Sequence, residues 1–245
     1  MTDFHSVPPC LPEPWALLDP EDRALLVRRL EEFGLAPLKN RRIGAVRVRP
    51  LEAYSGWMLV DLAVTEPLVP EVLRPDPDAE VSYGRGGVVS VLYGPGGATV
   101  LDGASAVIHE VNRSFGVDLS TDAAALDYLR YFCFFVHGDL GPFALLGSAA
   151  DCVATKKVKG LKAKVKPPLL VGDPDPETRN RKAAATVLYG QSLFAAEFEI
   201  RPDGMIEMLD DTVLAEEVEA KIPLEFDGAL RRVRPSSKSS GGAAE

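Results

Sequence analysis

Residues 121–146 read TDAAALDYLRYFCFFVHGDLGPFALL, and the fold turns on whether this stretch lies inside the molecule or on its surface. Ser120 or Thr121 can accept from the free N–H groups at a helix start, and Asp122 sets negative charge at the positive end of the dipole. Leu126, Leu129, Cys133 and Val136 recur at steps of three and four, and so share one face. From Tyr131 to Val136 the helix is apolar all round, which suits a helix wrapped by other elements. Gly138 reads as a left-handed stop and Pro142 as a block to continuation. The spacing predicts a buried helix over 121–137, then a short buried strand or an extended return at 143–146.

Two cationic positions interrupt this apolar run. Arg130 stands three residues after Asp127 and four before Phe134, which predicts an ion pair with the first and a stem lying along the second. His137 falls in the predicted last turn, where positive charge meets the negative end of the dipole. A sharper reading joins Arg130, His137 and Asp139 in an anion-binding or acid–base pocket at the helix end.

Upstream, Asp19-Pro20-Glu21-Asp22 marks a helix start, with Leu25, Leu26, Leu30 and Phe33 as the apolar stripe and Gly34 as the end. The period then changes to two. Ala45, Arg47 and Arg49 alternate with Gly44, Val46 and Val48, and residues 57–64 are apolar except at Asp61, as in a central strand. Ala53 to Gly56 supply the turn between these strands. Prolines at 67, 70, 75 and 77 mark a loop and the one candidate subdivision of the chain. Gly94-Pro95-Gly96-Gly97 predicts a hairpin; neither it nor the glycines at 84–87 ends in the Gly-Lys-Ser/Thr that grips phosphate. A helix is predicted over 105–115, with Val107, Ile108, Val111 and Phe115 inward and His109, Asn112 and Arg113 outward.

Downstream, residues 156–166 read KKVKGLKAKVK. Lys162, Lys164 and Lys166 alternate with Leu161, Ala163 and Val165, which predicts a strand with one basic face. Such a strand is either a sheet edge guarded by lysine or a patch for an anionic partner. Residues 183–189, 193–200 and 205–209 read as three consecutive strands, one face of the second lined by Phe194, Ala196, Phe198 and Ile200. A further strand is expected at 222–226, an extended segment at 1–14 and a disordered tail at 231–245.

A chain of 245 residues can bury a large core, and its formal charge of −9 argues against nucleic acid as a partner. No apolar run approaches the ~20 residues that span a bilayer, and the first residues lack the pattern of a secretory signal. Three scattered cysteines (10, 133 and 152) suggest reduced thiols and a cytoplasmic setting. His109-Glu110 opens like a zinc-protease helix, but Arg113 stands where the second histidine belongs, so neither metal nor cofactor is expected. His109 remains a candidate general base, oriented by Asp102 or Glu110, or else a histidine on the polar side of a surface helix. Cys133, between two phenylalanines, reads as a packed thiol.

The expected fold is α+β, an antiparallel β meander packed against a few helices around the buried helix at 121–137, in a single domain over 15–230. The expected function is binding of an acidic protein or small anionic ligand through 156–166, with Arg113, Arg130, Lys162, Lys164 and Lys166 as contacts. The alternative is acid–base catalysis on a small anionic substrate by Asp102, His109 and His137, with Arg130 holding the substrate.

Overall fold

The computed structural model describes residues 15–35, 38, 42–65, 87–154 and 160–220. The segments expected at 1–14, 67–77, 222–226 and 231–245, together with Lys156, Lys157 and Lys159, lie outside them. β1 (Ala16–Leu17) leads into α1 (Pro20–Glu32), where the Asp19 carboxylate accepts from the N–H groups of Glu21 and Asp22, both at 2.9 Å. β2 (Arg42–Pro50), β3 (Met58–Thr65), β4 (Gly87–Gly94) and β5 (Gly97–Val100) form an antiparallel meander with β1 on the outer edge of β2. α2 (Ser105–Phe115) and α3 (Asp122–Phe135) follow.

Shorter pieces come next. β6 (His137–Gly138) pairs with β7 (Gly141–Pro142), and β8 (Ala144–Leu145), β9 (Cys152–Ala154), α4 (Leu161–Lys164) and β10 (Leu169–Leu170) succeed them. β11 (Arg181–Tyr189), β12 (Ser192–Ile200) and β13 (Ile206–Ala215) make a second antiparallel meander, with β8 and β10 both paired to β11. β14 (Val218–Ala220) returns to β9.

The side-chain period of two divides the first sheet cleanly. Val46, Val60, Leu62, Val64, Val89 and Val91 face α1 and meet its Leu26 and Leu30. Leu25 and Phe33, expected in the same stripe, stand exposed. From the opposite face, Leu59 and Leu92 meet α2 and α3, which also pack against Ala183, Val187, Ala196, Phe198 and Ile200 of the second sheet. α3 therefore lies between two sheets. Leu129, Tyr131, Phe132, Cys133 and Phe135 are buried, and Phe134 is half-buried.

An arginine from each sheet holds α3. Arg49 of β2 forks onto both oxygens of buried Asp127, Nη1 to Oδ2 at 3.2 Å and Nη2 to Oδ1, and the Glu52 N–H adds a bond at 3.2 Å. Arg181 of β11 reaches Asp122 at 2.6 Å and the Ser120 carbonyl. The expected Asp127–Arg130 pair is thus replaced. Asp127 is buried under the sheet, and the bidentate guanidinium there satisfies both oxygens of a buried carboxylate.

Several local expectations are corrected. α3 ends at Phe135, Val136 is already extended, and His137 starts β6 instead of closing the helix. The left-handed glycine is Gly141 (φ 107°), not Gly138. The helix end is fixed from outside, by the bond from the His137 N–H to the Gly103 carbonyl and from the Phe143 N–H to the Cys133 carbonyl, at 2.9 and 3.0 Å. The described part of the lysine segment, 160–166, forms the one-turn helix α4, entered through left-handed Gly160, where a strand was expected. Leu161 and buried Val165 pack under it, and the Lys166 N–H donates to Thr186 Oγ1 at 2.8 Å. Asn112, expected outward, is buried. β13 runs on to Ala215 because a register shift after Met208 absorbs Leu209 and restores the pairing at Asp210.

Candidate functional site

The hairpin of β4 and β5 turns on Pro95-Gly96, with Gly94 paired to Gly97. Two of its glycines make room for rings: a Cβ at Gly94 would enter the Trp57 indole, and one at Gly96 would enter the Phe115 ring. These rings lie 4.7 Å apart and close one end of a groove of about 490 Å³ between β5 and α2. Ala98 and Thr99 form one wall; Ala106, Val107, Val111 and Phe115 form the other. Glu110 lies at this groove, its carboxylate held by Arg113 at 2.6 Å and Ser114 at 3.1 Å.

β5 is the last strand of its sheet and half exposed along its length. The Leu101 N–H donates to the Ser90 carbonyl at 2.9 Å, which fixes the parity of the ladder. Gly97, Thr99 and Leu101 bond inward, so the N–H and C=O groups of Ala98 and Val100 point away from the sheet. An open strand edge thus borders an apolar trough.

The residues singled out in the sequence fall elsewhere. Asp102 is exposed before α2, its carboxylate accepting from the Ala104 N–H at 2.9 Å. His137 is half-buried behind Gly103, close enough for Asp102 to act on it electrostatically; burial holds its imidazole below the ordinary range, against the opposing pull of the Phe134 hydrogen bond and Asp102. His109 lies on the other flank of α2, half-buried with its ring 5.5 Å from that of Phe132. Arg113 is the exposed partner of Glu110, and Arg130 is half-buried on α3. None of Asp102, His109, Arg130 and His137 lines the groove at β5. Lys164 and Lys166 line a second groove of about 420 Å³ on the outer face of the second sheet, facing Glu197 and Asp210. The Lys164 Nζ donates to the Leu214 carbonyl at 2.7 Å, and Lys162 is exposed.

Sequence reasoning missed the polar groups inside. Tyr54 donates to Asn112 Oδ1, Asn112 Nδ2 donates to Tyr128 at 2.8 Å, and the Tyr128 hydroxyl donates to the Gly204 carbonyl at 2.7 Å. The chain of bonds links the β2–β3 turn, both helices and the β12–β13 turn. Burial pushes the phenols of Tyr54, Tyr128 and Tyr131 far up, so all three stay neutral, and Tyr54 and Tyr128 act as fixed hydrogen-bonding groups, not as acids. Among the described residues the buried Tyr131 hydroxyl has no hydrogen-bond partner. In the first sheet, Asp61 accepts from Arg47 Nη2 at 2.7 Å and Ser90 Oγ at 2.6 Å, and Arg47 lies 4.0 Å over the Trp15 ring. Each of these residues looked ordinary in its own segment; only tertiary packing brings them together.

Among the described residues no cluster of His, Cys, Asp and Glu is placed to hold a metal, and no helix is long and apolar enough to cross a membrane. No family model, curated protein or solved structure matches the chain.

Proposed function

We propose that this chain is a binding protein, and that the groove between β5 and α2 takes an extended peptide as an added strand. One observation carries this reading: the outward N–H and C=O groups of Ala98 and Val100 border a trough lined by Trp57, Val107, Val111 and Phe115. Backbone groups on such an edge supply affinity, and the trough supplies selection for an apolar side chain. A displayed library of random peptides tests it. Selected peptides are expected to lose at least tenfold in affinity for Ala98→Pro, which deletes one outward donor, and for Ala106→Trp, which fills the trough. Proline is tolerated on an edge whose N–H faces solvent, so the first variant spares the fold. No enrichment, or affinity unchanged by both substitutions, would refute the reading.

Contact with an acidic protein or small anion through Lys162, Lys164 and Lys166 is the second reading. It is favoured by the two lysines that line the outer groove. It is the weaker of the two, because Glu197 and Asp210 share that groove and the Lys164 ammonium is engaged by Leu214. The acid–base alternative keeps only the proximity of Asp102 to His137.

A further inference from the structure

β13 is ten residues long, ends the second sheet and is exposed from Glu207 to Val213. The two-residue turn at Gly190-Gln191 makes Tyr189 and Ser192 a hydrogen-bonded pair. By the alternation that follows, Ala195, Glu197 and Glu199 bond across to Thr212, Asp210 and Glu207. The backbone groups of Met208, Asp211 and Val213 therefore point away from the sheet. Among the described residues the Asp211 N–H is met only by the neighbouring Asp210 carboxylate at 2.9 Å. The apolar side chains on this edge are open as well: Met208 is 38%, Leu209 47% and Val213 54% exposed. Glu207 is paired with Arg201 at 2.8 Å, whereas Asp210 and Asp211 make no ion pair among the described residues.

We infer that β13 is a second docking edge, distinct from the groove at β5, for an extended basic segment of another protein. The segment adds as an antiparallel strand, with lysine or arginine on the face of Glu207 and Asp210 and apolar side chains on the opposite face, against Met208 and Val213. Charge decides the occupant. A second copy of this chain would set Glu207, Asp210 and Asp211 of each strand against their counterparts, and like charges facing across a ladder destabilise it. A basic strand adds counter-charge along this edge, where Lys164 and Lys166 face Asp210 only from across the outer groove. Edges kept apart from partners are usually short or carry lysine; this one is long, acidic and apolar.

The test uses the full isotope-labelled chain and two capped heptapeptides, alternating Lys-Val and alternating Glu-Val. The Lys-Val peptide is expected to shift the amides of residues 206–213 and to bind at least tenfold more tightly than the Glu-Val peptide. D210N/D211N is expected to lower that affinity at least fivefold. Met208→Pro, which deletes an outward donor and leaves the ladder to β12 intact, is expected to lower it at least tenfold with an unchanged far-ultraviolet spectrum. Shifts confined to residues 97–100 would assign the peptide to the groove at β5 and overturn this inference, as would unchanged affinity in both variants. Self-association of D210N/D211N with undiminished peptide binding would make the two acids guards against pairing, and would overturn it too.

Discussion

Asp127 ties α3 to the first sheet. Its carboxylate is buried, and its main partner, Arg49, lies 78 residues earlier in the chain. Asp127→Ala would take from the buried Arg49 guanidinium the carboxylate that it grips at both oxygens, and removing one partner of a buried pair costs about 3–5 kcal/mol. Replacing both partners with apolar residues of similar size, as in R49M/D127L, is expected to recover most of that loss, because no charge is then stranded. Chemical denaturation of the three proteins measures both quantities; a single variant within 1 kcal/mol of the parent would reduce the pair to a surface contact. The sequence near Asp127 offered Arg130 as the obvious partner, since local spacing is all that a stretch of sequence displays. The burial of Asn112 was hidden for the same reason: three polar residues in a row read as a helix's outer face, yet Tyr54 and Tyr128 reach the middle one from two other elements.

At the scale of elements, the end of α3 carries a pH response. His137 leaves the helix, is half-buried, and has its pKa lowered mainly by that burial. A group held below its ordinary pKa contributes stability above that ordinary value and loses it as pH falls through and below about 6.5. Stability is therefore expected to decline between pH ~7 and ~5, and His137→Gln is expected to flatten that slope. Asp118 and Asp175 are held below the usual carboxylate range by hydrogen bonds, to Ser120 and to Thr178 respectively, so their losses begin only near pH 4 and below. An unchanged slope in the variant would mean that His137 binds protons equally in the folded and unfolded chain. Hairpins and caps could be read in advance, because Asp19-Pro20 and Gly94-Pro95-Gly96-Gly97 carry their conformational reasons in their own residues. The lysine segment could not. Its alternation fits a strand equally well, and only Gly160 and the packing of Leu161 and Val165 turn it into α4. β13 outruns the strand expected at 205–209 because Leu209 and the adjacent Asp210 and Asp211 break the period that continues beyond them.

For the whole molecule, the α+β class, the antiparallel strands and the burial of α3 follow from residue patterns, whereas the division of the one expected meander into two sheets does not. The grooves did not, since each is made where elements far apart in the chain meet: Trp57 with Phe115 in one, Lys164 with Glu197 and Asp210 in the other. Both binding proposals depend on edges held in place by a core common to the two sheets, with α3 at its centre. Unfolding followed at once by tryptophan fluorescence, which reports Trp57 and Trp15 beside the first sheet, and by hydrogen exchange of the β11 and β12 amides tests that most directly. Coincident transitions with one midpoint are expected. Loss of protection in the second sheet at a denaturant concentration that leaves the tryptophan signal native would mean two independent units, and would contradict a core shared through α3.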